Sequence, residues 1–426
     1  MPTAKKPKSI TLRTYQVGFG DCFLMTFHYT SGDKHVLIDF GSTGAPKTSG
    51  DDLMLRIAQD IQTQCAGKLH LVVATHRHAD HISGFATNRA GKAPGDLIAA
   101  CKPDVVLQPW TEDPDADPVT GTVKGDRKMF TASLRNMHGI SQSVLTELNQ
   151  RPTAFGKTLR GELSFLGEDN LTNKSAVENL MEMGKAGKAF YLRCDDTPPL
   201  GSVLPGVKLH VLGPPDLKQS EAIRKMRTKD ENEYWHLQAQ AGASSAQTKG
   251  RLFPKAAILS AADRPPFARW FIKRCHKLRG EQLLGIMRAL DDVMNNTSLI
   301  LLFEVGGMKL LFPGDAQIEN WSFALSQAGK RKLLEDVNVY KVGHHGSLNA
   351  TPKSLWNKFT HKDKPGASER LTTVVSTMAG KHGKPANKTE VPRGPLVDAL
   401  KAESDFFTTQ DLKGASKFFM DLTFDL

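Results

Sequence analysis

Cysteine is scarce in this chain, with five among 426 residues. Cys22, Cys65, Cys101, Cys194 and Cys275 are odd in number, scattered, and form no C-x-x-C pair. That excludes a disulfide scaffold and suits a reduced, cytoplasmic setting. Long apolar runs are missing too. None approaches the ~18–20 residues that cross a bilayer as a helix. The basic start, Met1 to Lys8, has no apolar stretch behind it, so no secretory leader is expected. The acidic, proline-broken run from Glu112 to Pro118 lacks EF-hand spacing and reads as a solvated loop. No internal repeat is visible.

What is present begins with an ordinary globular composition, 39% hydrophobic and 24% charged, enough to supply a core. The net charge of +11 suits an anionic partner. Its distribution says more: between Asp216 and Leu290 there are 15 Lys and Arg against 7 Asp and Glu. The same segment holds Tyr234-Trp235-His236 and Trp270-Phe271-Ile272-Lys273-Arg274. Aromatics interleaved with cations can stack bases and track phosphates. Equally, they can anchor helices to a core while the charges form a solvated face.

The densest chemistry lies in Thr75-His76-Arg77-His78-Ala79-Asp80-His81-Ile82-Ser83-Gly84, with three histidines and an aspartate within six residues. It follows the apolar run Leu69–Ala74, which reads as a short buried strand. Imidazole and carboxylate are the ligands a borderline metal such as zinc prefers. His76 and His78, two apart in an extended loop, can face one ion, and Asp80 and His81 a second. Elsewhere, Ile10–Gln16 and Val207–Leu212 alternate and predict strands, and strands are also expected over Cys22–Tyr29, His35–Phe40, Val105–Leu107, Ser298–Phe303, Met308–Phe312, Val337–Val342, Thr372–Thr377 and near Lys417–Thr423. Helical periodicity predicts helices over Asp51–Gln64, Phe130–Leu148, Asn173–Gly187, Ile318–Gln327 and Pro395–Glu403. Strands 69–74, 308–312 and 337–342 each end in a loop carrying His or Asp. At one edge of a layered sheet, such loops meet in a common crevice.

Five stretches carry a family resemblance: Val17-Gly18-Phe19-Gly20-Asp21, Leu37-Ile38-Asp39-Phe40-Gly41, the histidine loop, Phe312-Pro313-Gly314-Asp315 and His344-His345-Gly346-Ser347. The chain resembles the metallo-β-lactamase superfamily. Within it, the chain is most similar to the soluble domain of the competence DNA-uptake channel and its free-standing relatives. The resemblance covers about 230 residues in order and spacing, and no membrane channel goes with it. It implies an α/β fold, a four-layer αββα sandwich with two largely helical insertions. The core would comprise residues 10–110, 191–215 and 293–426. The insertions would be 111–190, near-neutral, and 216–292, basic; either could engage protein partners.

Residue by residue, the resemblance implies that His76 and His78 bind a first metal, and Asp80 and His81 a second. Asp315 would bridge both, and His344 would complete the second site. His345 is the alternative ligand or a donor to substrate, so Asp80 and His345 are the catalytic candidates. Asp39, otherwise a turn residue, and Asp21 would support ligands from behind. Ser347 and His382 would contact substrate. His138, His210, His236 and His276 lie where many superfamily members supply a further ligand, but none has a compelling context. The expected cofactor is a pair of divalent ions, zinc or manganese. The implied activity is phosphodiester hydrolysis by a metal-bound hydroxide, as in a nuclease acting on DNA or RNA. Hydrolysis of a small ester, lactone or phosphodiester is the alternative, as is a non-catalytic, metal-stabilised subunit binding nucleic acid or protein.

Overall fold

In the computed structural model, residues 6–113, 174–216, 265–348, 351–367, 369–383, 385–412 and 417–426 are described, with a few isolated positions besides. The chain divides into two units: Met1–Ala116, Thr172–Ser220 and Met294–Leu426 form the first, and Asp117–Leu171 with Glu221–Val293 the second.

The first unit is mixed α/β, built on two sheets. Strands β1 (Ser9–Tyr15), β2 (Cys22–His28), β3 (Lys34–Phe40), β4 (Leu71–Val73), β5 (Val105–Pro109), β6 (Ala189–Leu192) and β13 (Phe419–Asp425) form one, in the order β13-β1-β2-β3-β4-β5-β6. Strands β7 (Lys208–Gly213), β8 (Ile300–Val305), β9 (Met308–Phe312), β10 (Val339–Lys341), β11 (Thr372–Val375) and β12 (Asp405–Thr408) form the other, in the order β12-β11-β10-β9-β8-β7. Each sheet is antiparallel on one side and parallel on the other. Parallel neighbours need crossovers, and helices supply them. Helix α1 (Leu53–Gln64) joins β3 to β4; α2 (Ala79–Ile82) and α3 (Pro94–Ala100) lie between β4 and β5; α4 (Lys174–Ala186) precedes β6. Helix α5 spans Pro266–Asn295, all but its last two residues in the second unit. In the other sheet, α6 (Ile318–Ser326) and α7 (Ala328–Glu335) join β9 to β10, α8 (Lys353–Trp356) joins β10 to β11, and α9 (Gly394–Glu403) joins β11 to β12.

Period-two side chains sort the core. On β2, Phe23, Met25 and Phe27 enter a cluster shared with Leu301, Phe303, Leu310 and Phe312 of the second sheet. Phe23 and Phe312 meet edge to face at 5.8 Å across it. Cys22 and Leu24 instead join a cluster with Leu53, Ile57 and Ile61 of α1 and Ile98 of α3. In the second sheet, Ile300, Leu302 and Leu311 turn toward Trp321, Leu334 and Leu400 of α6, α7 and α9. The central strands of both sheets are thus apolar on both faces, as strands enclosed on two sides must be.

Most predicted strands fall within one to three residues of those observed. Strands β6 and β12 and helices α2, α7 and α8 had no sequence counterpart. The segment from Lys174 to Leu192 belongs to the first unit and its seven-stranded sheet, so the 111–190 insertion does not extend through it. Of the expected helix Phe130–Leu148, only Leu148 and residue 146 are among the described residues, and His138, Tyr234, Trp235 and His236 lie outside them.

Candidate metal centre

The candidate ligands sit where parallel strands end. Asp39 closes β3, the loop after β4 carries His76 to His81, Asp315 follows β9, and His344 and His345 follow β10. Carbonyl ends of parallel strands collect such loops along one rim.

Chain geometry at these ends is unusual and specific. Asp39, His344 and His345 have positive φ, at 55°, 43° and 52°. Asp and His tolerate this left-handed region better than most residues, yet two in succession are costly and need surrounding support. His344 receives some of it, since its N–H donates to the Gly314 carbonyl at 3.2 Å. Gly41 lets β3 press against the histidine loop: a Cβ there would stand 2.4 Å from the Asp80 carbonyl carbon and the His81 nitrogen. Asp21 enters from the β1–β2 turn, its N–H bonded to the Asp80 carbonyl at 2.9 Å.

Asp80, His81, Asp315 and His345 bring one ligand atom each to within 4.8 Å of one another. His76, His78 and Asp80 form a second such group, so Asp80 belongs to both. All six residues are at most 4% exposed. His76 Nε2 lies 3.0 Å from His78 Nδ1. His345 Nε2 lies 3.0 Å from Asp80 Oδ2 and 3.5 Å from Asp315 Oδ2. His81 Nε2 lies 3.1 Å from Asp315 Oδ1.

The far nitrogens of two rings are fixed from behind. His81 Nδ1–H donates to Asp39 Oδ2 at 2.8 Å, and Asp39 also accepts the N–H and hydroxyl of Thr75 at 2.7 Å each. His345 Nδ1–H donates to the Ser376 carbonyl at 3.0 Å. Each arrangement sets the tautomer and turns Nε2 inward, as metal-binding histidines require. Asp39 therefore stands behind His81.

The site is electrostatically loaded. Asp21, Asp39, Asp80 and Asp315 are all buried. Burial opposes a charge on His81, but Asp315, Asp39, Asp80 and Asp21 outweigh it and hold its pKa well above that of ordinary imidazole. His345 is raised in the same way, against burial, by Asp315 and Asp21. Burial also disfavours the Asp315 and Asp80 carboxylates, yet His81 and His345 draw both below the usual range. His76 goes the other way: burial lowers it, and His81 and His78 lower it further. A neutral imidazole is the form that can ligate.

Lys341 supplies a further cation that sequence reasoning passed over. It is 2% exposed. Its ammonium pairs with Asp21, lies 3.7 Å from Asp315 Oδ1 and donates to the Gly314 carbonyl at 3.2 Å. Within Val339-Tyr340-Lys341-Val342 it shares the face of Val339, a member of the core between the sheets. The one available signal is its position three residues before His344.

His344 departs from expectation. The four-residue group takes its neighbour His345, while the His344 side chain is 25% exposed with Nε2 3.8 Å from Asp315 Oδ2. The left-handed turn swings the first histidine to the rim and the second inward. Ser347 Oγ, one residue past the turn, is buried and makes no hydrogen bond. His382 packs edge-on against Phe19 at 4.1 Å, and Phe19 contacts His345 at 4.4 Å. Burial and Lys381 lower His382 to about 4. Of the other histidines, His210 pairs with Glu304 at 2.6 Å across β7 and β8 and is no part of the site.

Do these residues fit divalent ions? Asp80 Oδ1, Asp315 Oδ1 and His81 Nε2 are buried and make no hydrogen bond of proper geometry. Buried polar atoms are normally satisfied, and a cation within their reach would satisfy them. Nitrogen and carboxylate donors suit zinc or manganese. The donor set fits.

A scan of protein-family models gives no match to the chain. A search of curated proteins likewise finds no relative.

Proposed function

We propose that the chain is a metallo-β-lactamase-type hydrolase that cleaves phosphodiester bonds with a pair of divalent ions, zinc or manganese, and acts on nucleic acid. The observation that carries this is the meeting of Asp80, His81, Asp315 and His345 from three remote segments, beside His76 and His78. Three core clusters, one between the sheets and two against helices, support a four-layer αββα reading.

In this reading His76, His78 and Asp80 would hold one ion, and Asp80, His81, Asp315 and His345 would hold the other. Bound there, the ions would supply Lewis acidity and lower the pKa of water from 15.7 toward about 7. The protein's own groups do the rest. Asp39 and the Ser376 carbonyl keep His81 and His345 aimed. Lys341 offsets the charge of Asp21 and Asp315, limiting their repulsion. His344, at the rim, can turn toward a substrate phosphate or its leaving oxygen. Ser347 Oγ and His382 Nε2 are both buried, so His344 is the member of this group that reaches the rim.

Elemental analysis of purified protein should find up to two equivalents of zinc or manganese. The protein should hydrolyse bis(4-nitrophenyl) phosphate and single- or double-stranded oligonucleotides. Unchanged turnover after combining Asp80→Ala with His81→Ala would falsify the proposal. Hydrolysis of a lactone with no phosphodiesterase activity would redirect it to another substrate class.

A further inference from the structure

Helix α5 wears its aromatics on the outside. Phe267, Trp270, Phe271 and Leu278 are 75%, 64%, 61% and 50% exposed. At 100° per residue these positions share one arc about 100° wide. The opposite stripe, Ala268, Ile272, His276 and Gly280, is the half-buried to buried one. Arg269 and Arg279 lie on that same side and are exposed, so the less exposed stripe is narrow, while the large aromatics face out, the reverse of an ordinary surface helix. The other described tryptophans, Trp110, Trp321 and Trp356, are at most 7% exposed.

Charge accompanies the aromatics. From residue 266 to 280 the helix carries Arg269, Lys273, Arg274, Lys277 and Arg279 and no acid. All five are exposed. Arg274 lies near the middle of the aromatic arc, its guanidinium 5.8 Å from the centre of the Trp270 ring. A helix lying in a membrane surface keeps its cations on the polar face, away from its apolar one. Here a cation is set among the rings. That interleaving matches single-stranded nucleic acid, whose bases offer flat faces to stack and whose phosphates recur between them.

We infer that the exposed face of α5 around Phe267, Trp270, Phe271 and Arg274 is a docking surface for single-stranded nucleic acid. The choice of nucleic acid among polyanions rests on the phosphodiesterase reading. The docking itself needs no metal.

The test is fluorescence anisotropy of a labelled oligothymidylate with the full-length protein in EDTA, where no cleavage intervenes. Wild-type protein should bind, more weakly as salt rises. Trp270→Ala with Phe271→Ala should weaken binding roughly tenfold or more, whereas Trp270→Phe, which keeps a ring, should retain most of it. Lys273→Gln with Arg274→Gln should weaken binding and flatten the salt dependence, by about 0.7 in slope for each phosphate no longer neutralised. The inference is overturned if the double aromatic variant binds as tightly as wild type. It is equally overturned if the aromatic substitutions abolish only binding to phosphatidylserine vesicles, or only self-association seen by sedimentation. A protein that binds through α5 but never cleaves under zinc or manganese refutes the hydrolase reading alone; one that cleaves with α5 irrelevant to binding refutes this one alone.

Discussion

Single side chains decide the chemistry of the rim, and Asp39 is the simplest to test. It touches His81 at 2.8 Å from the side away from the ligand cluster. Asp39→Asn keeps the size but weakens the hold on the Nδ1 proton. Metal affinity should fall about 10–100-fold, read by competition with a chromophoric chelator. Lys341→Met removes the cation while leaving Asp21 buried, and severing a buried ion pair costs about 3–5 kcal/mol. The melting temperature should drop sharply, by more than for any exposed Lys→Met change. A separate residue pair sets acid sensitivity. His70 Nδ1 accepts the His35 N–H at 3.1 Å, and burial, with Lys34, lowers the His70 pKa to about 4. His35 is lowered too, chiefly by burial. Unfolded imidazole titrates near 6.5, above the folded value, so the unfolded chain takes up the proton first. The contribution to stability is whole above about pH 6.5 and is lost as pH falls toward 4. Urea midpoints between pH 7 and pH 5 should decline in wild type, and less steeply in His70→Asn.

At the level of elements, the rim depends on strand ends touching loops with no room to spare. Gly41→Ala would drive a methyl into the backbone of Asp80 and His81. The expected outcome is loss of bound metal with near-native far-ultraviolet circular dichroism, because β3 can persist while α2 moves. Wild-type metal content in Gly41→Ala would contradict the packing described. These same junctions show what a sequence can and cannot disclose. Strands β2, β8 and β9 announce themselves as short, nearly continuous apolar runs, since each is sandwiched between two apolar clusters. The histidine loop announces itself by density. Strands β6 and β12 do not, because each is a four-residue edge strand with little alternation to read. The choice between His344 and His345 was hidden as well. It turns on a left-handed backbone stretch that adjacent identical residues cannot encode visibly. Lys341 was hidden because a lone lysine in an apolar strand names no partner, and only the convergence of Asp21 and Asp315 from elsewhere shows what its charge meets.

For the molecule as a whole, bound ions and chain connectivity act on stability together. Four buried carboxylates gathered at one rim repel one another, and cations relieve this. Adding zinc at a hundred times its dissociation constant should stabilise the fold by about 2.7 kcal/mol. Differential scanning calorimetry should register a higher melting temperature with metal, reversed by chelator. The described helices include none long and apolar enough to cross a membrane. Connectivity enters through β13, which pairs with β1 along seven residues from Ser9–Asp425 to Tyr15–Phe419 and adds the Arg13–Asp421 ion pair. During synthesis on the ribosome, the amino-terminal ribbon waits for a mate that emerges some four hundred residues later. Until then its outer backbone groups stay open to any passing extended peptide. A stalled or clipped translation product lacking residues 419–425 would expose that border permanently, so such fragments should precipitate or recruit chaperones while the finished polypeptide remains dispersed.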